Sequence, residues 1–539
     1  MVERRAFLVG SAALVASACT PADRSAAPAS TGSASAADWA ELQKLLGERF
    51  IPAKGAVPGN ARYLTFATAM GNTRYWWVLP GGIARCESEA DVATCLKWAQ
   101  ETGTEFSIRS GSHNYAGTSQ TTGLLISTAG MREINVDAKK ELLTVGAGVR
   151  TGDIARVLAR TPGRGGLMLP MGVCPSVGIS GLALGGGLGY NSRTAGATCD
   201  SLVGSNVVLA DGRIVRTDAS SEPDLFWAIR GAGGGNFGVN TNFQFRLTPV
   251  PRQTVFAFAI EFLGEAMVRD GIHAWNTVIS DAPRELSTSA ILSAPGSPDQ
   301  EEMARAQGVG ATVYGQFIGS EDDARALLEP LLRVKSHNRI IGQRSFWDAQ
   351  RFLQANNVAL FDGGPDPMFQ NAFWCRSRFI NGRIDARLLD ITIDHLVRNR
   401  VLPPGDETAP PLQIAFQQWV GGRVNDITPD ATAFVHRSSS VIMQITTTFQ
   451  RPPEPYRSSE TRPVGWVEPV PPARRVWAEE LWKAAEPFVS QSSYQNFPDP
   501  DLADWQRAYY GANFDRLRQV KSRYDPGNVF RFPQSIPTA

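Results

Sequence analysis

The chain of 539 residues lacks an excess of charge of either sign. It contains 53 Lys and Arg residues against 52 Asp and Glu residues, which leaves a formal charge of +1 at pH 7. No long run of basic residues occurs in it. Because nothing here would attract a polyanion, we expect no nucleic-acid partner.

Cysteine and histidine are scarce, with six and five residues respectively. None of them falls in a CxxC motif or in a Cys/His spacing typical of metal ligands, so no metal site is predicted. Cys86 and Cys95 lie nine residues apart, across a predicted strand end and the following helix. They would be able to form a disulfide in an oxidising compartment, and the sequence leaves this open.

No apolar run near the N-terminus is long enough for a convincing membrane span. The run FLVGSAALVA covers only residues 7–16 and follows the pair Arg4-Arg5. Together these features predict a twin-arginine signal peptide over residues 1–18, cleaved after Ala18.

We therefore predict an exported protein, located in the periplasm or outside the cell. Cys19, directly after the cleavage site, is a candidate for a lipid anchor that would hold the protein at a membrane. Residues 19–38 are small and polar, and we interpret them as a low-complexity tether. Twin-arginine export usually carries folded proteins, often around a cofactor, so the leader favours a bound cofactor.

The chain length predicts two or three packed units. Over residues 39–250, short apolar strands alternate with helices and glycine turns. Over residues 251–488, longer strands and amphipathic helices predict an antiparallel sheet covered by helices. Residues 489–539 form a C-terminal segment. The predicted fold class is α+β.

Glycine is abundant, with 51 residues, and it is concentrated in three stretches of the first domain, at 109–117, 178–189 and 231–238. Glycine permits positive φ, and the free N–H groups of such turns can bind a pyrophosphate. Three stretches together favour an extended dinucleotide over a set of tight turns. A nicotinamide site is a poor match, because GLALGGGLG contains no clean GxGxxG and no suitable acidic residue follows.

Four motifs occur in a characteristic order: RSGSHNYAG, GVCPSVGISGLALGGGLG, DLFWAIRGAGGGNFGV and YYGANFDRLRQVKSRYDPGNVFRFPQSIP. Together they resemble the berberine-bridge-enzyme-like FAD-linked oxidases, which belong to the vanillyl-alcohol-oxidase type of flavoprotein. The resemblance covers roughly residues 60–539. It implies a PCMH-type FAD-binding domain of two subdomains, an α+β substrate domain and a C-terminal segment that packs on the FAD domain.

The resemblance also implies that FAD is bonded to the protein at two points. The family histidine bonded to the flavin 8α-methyl group is here His113, and the family cysteine bonded to flavin C6 is here Cys174. The residues expected to contact FAD without a covalent bond are Arg109, Ser110, Gly111, Ser112, Asn114, Val177, Gly178, Gly181, Gly185, Gly186, Gly189, Tyr190, Val239, Tyr510 and Asn513.

The expected catalytic residues follow from the same resemblance. Tyr494, in SSYQNFPDPDL, is the predicted general base, and Tyr115 is the second choice. Gln444, on the predicted strand VIMQITT, is expected to hydrogen-bond the flavin ring or the substrate. Val177, three residues after the flavin-linked cysteine, is expected near flavin C4a, where small side chains accompany reaction with oxygen.

Several positions depart from the family pattern. Ser112 stands where glycine is frequent, so a positive φ there would cost on the order of 1 kcal/mol. Leu182 and Leu188 replace a histidine and a tyrosine of many plant members, and Ile442 replaces a lysine. The substrate site is therefore not expected to match the plant enzymes.

The reaction implied by the resemblance is oxidation of an alcohol or hemiacetal by hydride transfer to flavin N5, with O2 as acceptor and H2O2 as product. The substrate would be a sugar or a secondary metabolite, and we expect a monomer. Two alternatives remain from the sequence. One is a dehydrogenase of the same fold that passes electrons to a quinone or a redox protein, and the other is a non-catalytic exported binding protein.

Overall fold

The computed structural model describes residues 34–53, 61–68, 71–161, 166–250, 254–294, 308–354, 372–398, 412–449 and 464–539. The predicted signal peptide and most of the predicted tether lie outside the described residues. Within the described ranges, no helix is both long and apolar enough to cross a bilayer.

The first sheet is parallel at its centre. Its strands run in the order β1-β2-β4-β3 and are β1 (Phe50–Pro52), β2 (Gly82–Arg85), β3 (Phe106–Arg109) and β4 (Leu124–Ser127). The helix Glu89–Thr102 connects β2 to β3. Ser88 caps its first turn, and Gly103 ends it in the left-handed conformation. The end of β3 leads directly into the turn at 109–117.

The second sheet is antiparallel and has the order β5-β6-β10-β8-β9. Its strands are β5 (Ile134–Asp137), β6 (Leu142–Gly146), β8 (Leu202–Val208), β9 (Ile214–Asp218) and β10 (Val239–Arg246). A separate pair is formed by β7 (Leu167–Met168) and β11 (Thr248–Pro249). The turn at Asp211-Gly212 connects β8 to β9, and Gly212 takes a φ of 82° there.

The third sheet has seven antiparallel strands in the order β15-β12-β14-β13-β17-β18-β16. They are β12 (Thr254–Leu263), β13 (Leu286–Ala294), β14 (Gly310–Phe317), β15 (Asn338–Ser345), β16 (Ala372–Ile380), β17 (Leu412–Gln418) and β18 (Val441–Phe449). On β12, Phe258 and Ile260 pack under helices, whereas Ala259 and Glu261 point to the opposite face. The architecture is α+β, as the sequence predicts.

Helices cover the outer surfaces of these sheets. In the first half they are Ala36–Leu46, Ala61–Ala67, Glu89–Thr102, Thr151–Arg160, Ile179–Leu184, Ser192–Ala195 and Pro223–Ala228. In the second half they are Glu265–Ser280, Glu321–Leu327, Glu329–Arg333, Phe346–Leu353, Ala386–Arg398 and Pro472–Ala485. The C-terminal segment adds Trp505–Tyr510 and Phe514–Tyr524.

The C-terminal segment packs against the glycine stretch at 231–238. The Lys521 ammonium group is fully buried, 2.7 Å from the Asp525 carboxylate, and it donates to the carbonyl oxygens of Asn236 and Phe530 at 2.6 Å. Burial lowers the pKa of Lys521, and the carboxylate opposes this shift. Because every donor has a partner, the buried charge holds the segment to this glycine stretch.

A second buried ion pair joins the first half of the chain to the second. Arg437 donates to both carboxylate oxygens of Asp200, at 2.8 and 2.7 Å, and both side chains are nearly inaccessible to solvent. Bidentate geometry of this kind restricts the position of both partners. The pair therefore fixes the loop before β18 against the first half of the chain.

The structure contains three features that the sequence did not indicate or had left open. The glycine stretch at 178–189 contains the short helix Ile179–Leu184. Strands β13 and β16 are largely buried on both faces, so their sequences lack the period-two alternation that predicts a strand. The Sγ atoms of Cys86 and Cys95 lie 3.9 Å apart as two buried free thiols.

Candidate active site

A cavity of about 1120 Å³ lies between the glycine-rich loops and one face of the third sheet. Its loop side includes parts of all three glycine stretches, and its sheet side includes residues of β12, β13, β14, β17 and β18. Sites for a single small ligand usually occupy about 300–1,000 Å³. The cavity therefore has room for a dinucleotide together with a substrate.

The first two glycine stretches touch each other at the cavity wall. A Cβ atom added to Gly111 would overlap the backbone nitrogen of Gly178, and a Cβ atom on Gly178 would overlap the backbone of Gly111. The hydroxyl groups of Ser110 and Ser180 both donate to the Ala147 carbonyl oxygen, at 2.7 and 2.6 Å. These contacts require glycine at both positions and bring the two motifs into one site.

Other glycines leave open space that suits a cofactor. A Cβ atom on Gly181 would have no neighbour within 4 Å, and Gly181 lines the cavity. The three consecutive glycines Gly233, Gly234 and Gly235 also line it, and a Cβ atom on any of them would meet only ordinary contacts at 3.5 Å or more. No side chain separates these backbone segments from the cavity, so a pyrophosphate could approach their N–H groups.

His113 and Cys174 both line this cavity, one on each of the touching loops. His113 Nε2 lies 2.6 Å from the Ser176 hydroxyl, and burial, assisted by the charge of Arg150, lowers the pKa of His113 to about 3. The imidazole is therefore neutral above that pH and retains a nitrogen lone pair. Cys174 lies near Tyr115 and Tyr314, where a thiolate would raise the pKa of both phenols.

Ser112 has a φ of 65°, so the residue that replaces the family glycine does adopt the left-handed conformation. Its carbonyl oxygen accepts a hydrogen bond of 2.7 Å from the Gly71 N–H, and its hydroxyl is buried. The turn therefore contains a strained non-glycine residue beside the histidine.

We expect Ser112→Gly to increase the free energy of unfolding by about 0.5–1 kcal/mol, because the backbone strain disappears while the unfolded chain gains some entropy. Chemical unfolding of the purified protein measures this change. Glu141→Gly, at another non-glycine position with a positive φ (54°), is the matched control outside the cavity. A Ser112→Gly variant no more stable than wild type, beside a stabilised Glu141→Gly variant, would contradict the argument.

The structure brings thirteen of the predicted site residues to the cavity. Those that line it are Ser110, Gly111, His113, Asn114, Tyr115, Cys174, Val177, Gly178, Gly181, Val239, Gln444, Tyr494 and Tyr510. Tyr510 also donates to the Ala232 carbonyl oxygen at 2.9 Å, which holds it beside the third glycine stretch.

Seven predicted FAD contacts do not line the cavity, namely Arg109, Ser112, Gly185, Gly186, Gly189, Tyr190 and Asn513. Protein atoms already fill the space beside three of them. A Cβ atom on Gly185 would overlap the Asn496 side chain, one on Gly186 would press on the Phe434 ring, and one on Gly189 would overlap the Met171 carbonyl oxygen. Gly185 and Gly186 allow the loop to pack on the C-terminal half, and Gly189 allows it to pack on the segment that contains Met171.

The remaining members of this group bind other parts of the protein. The buried Arg109 guanidinium group donates to the Phe66 and Ala67 carbonyl oxygens, and burial lowers its pKa to about 9. The Tyr190 hydroxyl lies 3.4 Å from the Ser289 hydroxyl, and Asn513 donates to main-chain carbonyl groups at 2.8 and 3.1 Å. These three side chains therefore support the structure around the site.

Tyr494 and Tyr115 lie on either side of Phe497. The Tyr115 ring stacks on Phe497 at 5.4 Å between centroids, and the Tyr494 ring meets it edge-on at 5.0 Å. The Tyr494 hydroxyl oxygen accepts hydrogen bonds from the Gly187 N–H at 3.0 Å and from Asn496 Nδ2 at 3.1 Å. Burial raises the pKa of both tyrosines, and the two donors at Tyr494 oppose the rise there.

Gln444 belongs to a chain of side-chain amides on the sheet. Its Oε1 accepts from Gln417 Nε2 at 3.0 Å, and its Nε2 donates to the Thr446 hydroxyl at 3.1 Å. These contacts fix the orientation of the amide while it faces the cavity. The Gln444 side chain also hydrogen-bonds the Cys375 thiol, which opposes the rise in the pKa of that thiol caused by burial.

The sheet side contains polar residues that the sequence analysis did not identify: Glu261, Ser293, Thr312, Tyr314, Gln413, Gln417, Thr446 and Thr448. A signal for them was present, since alternate residues of a strand share a face. In LQIAFQQ, for example, the glutamines at 413 and 417 alternate with apolar core residues.

Family comparisons agree with this geometry. A model described as FAD binding domain matches residues 80–218, and a model described as Berberine and berberine like matches residues 493–537. These two regions supply most of the loop side and the C-terminal wall of the cavity. The fold and the site therefore define a PCMH-type FAD-dependent oxidoreductase.

The chain belongs to the berberine-bridge-enzyme-like family of FAD-linked oxidoreductases. It is 32% identical over 464 residues to the uncharacterized FAD-linked oxidoreductase YgaK of Bacillus subtilis (strain 168), a match that covers 85% of this chain and 91% of that protein. It is 29% identical over 489 residues to the monolignol oxidoreductase AtBBE-like 13 of Arabidopsis thaliana, covering 84% and 82%.

The fold is also similar to that of the xylooligosaccharide oxidase from Myceliophthora thermophila C1, solved in complex with xylobiose. The TM-score is 0.74 at 22% identity, and the match covers 93% of this chain and 99% of that one.

Proposed function

We propose that the protein is an exported flavoprotein oxidase with FAD bonded to both His113 and Cys174. It would oxidise an alcohol or hemiacetal carbon of a sugar or secondary metabolite, with O2 as acceptor and H2O2 as product. The observation that carries the proposal is that both side chains line one cavity, on loops that contact each other at Gly111 and Gly178. The monolignol oxidoreductase and the xylooligosaccharide oxidase among the similar proteins support an alcohol or sugar substrate.

The environment of His113 suits a covalent bond to a flavin. A protonated imidazole has no lone pair to form the bond, and burial keeps this imidazole neutral. The Ser176 hydroxyl, 2.6 Å from Nε2, sets the orientation of the ring. When bound, FAD supplies the hydride acceptor of the reaction.

In this proposal Tyr494 acts as a phenolate, whose oxygen takes the proton of the substrate hydroxyl and becomes the neutral phenol. Burial raises the pKa of Tyr494 and opposes this form, so the role depends on groups that stabilise the phenolate. Its ring is held by Phe497 and Phe434, and N–H donors from Gly187 and Asn496 stabilise the charged form. Tyr115, on the other side of Phe497, is the second candidate for this role.

Export is part of the proposal and is supported by the Arg4-Arg5 pair and the apolar run after it. A covalently held cofactor suits an exported protein, because FAD that is lost outside the cytoplasm cannot easily be replaced.

Two measurements test the proposal: the colour of the bound flavin and the release of H2O2. The purified protein should be yellow, and the colour should stay in the pellet after acid precipitation. With a screen of alcohols and sugars, the flavin should bleach, and air should restore the colour with release of H2O2. A colourless protein would indicate the non-catalytic binding protein, and reduction of a quinone without peroxide would indicate the dehydrogenase.

Val177 lines the cavity three residues after Cys174, and its main chain is fixed by hydrogen bonds to Thr151 and Cys174. We expect Val177→Leu or Val177→Ile to slow reoxidation by air, because an added methylene in a tight site changes a rate by roughly tenfold or more. Reduction by substrate should change much less. Stopped-flow measurement of the two half-reactions tests this, and equal slowing of both would argue against an oxygen gate.

A further inference from the structure

A side-chain hydrogen bond connects the two loops that contain the proposed attachment residues. Ser176 lies two residues after Cys174, and its hydroxyl oxygen is 2.6 Å from Nε2 of His113 on the other loop. Ser176 is only 5% exposed, so water competes little for this hydrogen bond. The contact therefore joins the ring of one attachment residue to the turn that contains the other.

The turn that contains Ser176 is held by the start of the helix that begins at Thr151. The Thr151 N–H donates to the Val177 carbonyl oxygen at 2.9 Å, and the Gly152 N–H donates to the Pro175 carbonyl oxygen at 2.8 Å. These bonds fix the backbone on both sides of Ser176. Its hydroxyl group therefore has a defined position relative to the imidazole.

The loop that contains His113 is fixed as well. The side-chain oxygen of Asn114 accepts hydrogen bonds from the N–H groups of Ala116 and Thr118, both at 3.0 Å. On the other side of the histidine, Gly111 packs directly on the backbone of the opposite loop. Because the backbone is held on both loops, the contact between hydroxyl and imidazole follows from the fold and not from free rotation of two side chains.

Bond formation at His113 places a positive charge on the imidazole. When a neutral imidazole bonds to carbon through one nitrogen, the ring stays cationic until the other nitrogen loses its proton. In the tautomer whose Nε2 donates to Ser176 Oγ, the lone pair lies on Nδ1. Burial and the charge of Arg150 disfavour a cationic ring and lower the pKa of His113 to about 3. A charged donor makes a hydrogen bond roughly twice as strong as a neutral one, so the Ser176 oxygen offsets this cost.

We propose that Ser176 is the positioning residue for attachment of the flavin to His113. Its oxygen holds the imidazole in the tautomer with the lone pair on Nδ1 and accepts the Nε2–H while the bond forms. The Nδ1 lone pair makes the N–C bond, one C–H bond of the flavin 8α-methyl group breaks, and the electron pair of that C–H bond reduces the flavin. The methyl proton and the Nε2 proton are released, and O2 takes up two protons and the two electrons as H2O2. The inference rests on the proposed function, because it requires the bond at His113.

The Cys174→Ala background isolates the bond at His113, because the other proposed attachment residue is absent from it. The full-length variants are incubated with excess FAD in air, and samples are precipitated with acid over time. Ser176→Ala in this background should bond flavin more slowly by a factor of about ten or more, the usual effect of losing a hydrogen bond to a charged group. Mass spectrometry of the tryptic peptide that contains His113 measures the bonded fraction directly.

The same substitution in the chain with Cys174 intact gives a second measurement. Freshly purified Ser176→Ala protein should be yellow and carry flavin on Cys174 alone, whereas the wild-type protein should carry it on both residues. The flavin held at Cys174 shows that the variant has folded.

Ser176→Thr and Ser176→Val form a matched pair, because threonine and valine have the same shape and only threonine has a hydroxyl group. Ser176→Thr should bond flavin at His113 nearly as fast as the parent, and Ser176→Val should be as slow as Ser176→Ala. Ser201→Ala, at a buried serine outside the cavity, should behave as the parent.

Equal rates for Ser176→Thr and Ser176→Val, or an unchanged rate for Ser176→Ala, would overturn the inference and leave the proposed attachment in place. Fully extractable flavin in the wild-type protein would instead overturn the proposed attachment, and the inference with it.

Discussion

Tyr494→Phe is expected to slow flavin reduction by a working substrate by roughly 100-fold or more, the usual contribution of a general base. Tyr494 lines the cavity and its hydroxyl oxygen accepts two N–H donors, so removal of this oxygen deletes the proposed proton acceptor. The ring contacts with Phe497 and Phe434 remain in the variant, and the fold should be preserved. Stopped-flow reduction under anaerobic conditions measures the rate.

Tyr115→Phe is the matched control for this experiment. Tyr115 stacks on the other side of Phe497, and burial raises its pKa without N–H donors comparable to those at Tyr494. Its variant should therefore be reduced much faster than Tyr494→Phe, with the flavin spectrum intact in both. If Tyr494→Phe were reduced at the wild-type rate and Tyr115→Phe were slow, the proton acceptor would be Tyr115.

The second large effect is expected at the cofactor attachment. His113→Ala and Cys174→Ala should each retain FAD through one bond with a lower reduction potential, and the double variant should release all of its flavin on acid precipitation. The reason is that each residue reaches the cavity from a different loop, so either bond can form alone. Mass spectrometry of tryptic peptides identifies the modified residue in each variant.

Cys199→Ala provides the control for the cysteine, because Cys199 is buried outside the cavity. Its flavin should remain attached at both points. Fully extractable flavin in the wild-type protein would rule out both bonds, and flavin retained by the double variant would place the attachment elsewhere.

The two glycine-loop motifs are recognised from short stretches of sequence, and in the structure the two loops contact each other. RSGSHNYAG and GVCPSVG contain enough glycine and serine to form tight turns, and these turns meet at Gly111 and Gly178. The sequence also indicated the α+β class through the alternation of strands and helices. Such patterns are local, so they can be interpreted without knowledge of the tertiary contacts.

The role of an individual glycine, by contrast, cannot be predicted from the residues next to it in the sequence. Gly181 leaves open space at the cavity, whereas Gly185 makes room for Asn496, which is more than 300 residues away in the chain. Both belong to one glycine-rich stretch, and no local feature separates a glycine that faces a ligand from one that faces the protein.

The sequence by itself determined the motifs, the family to which they belong and the side chains able to bind a flavin, because these depend on residue type and short spacing. Only the tertiary structure decided which side chains share the cavity. Glu261 and Gln444 lie on strands far apart in sequence and meet in one row only through the register of four strand pairs. Register is set by packing across the whole sheet, and packing between distant segments leaves no signal in a single local pattern.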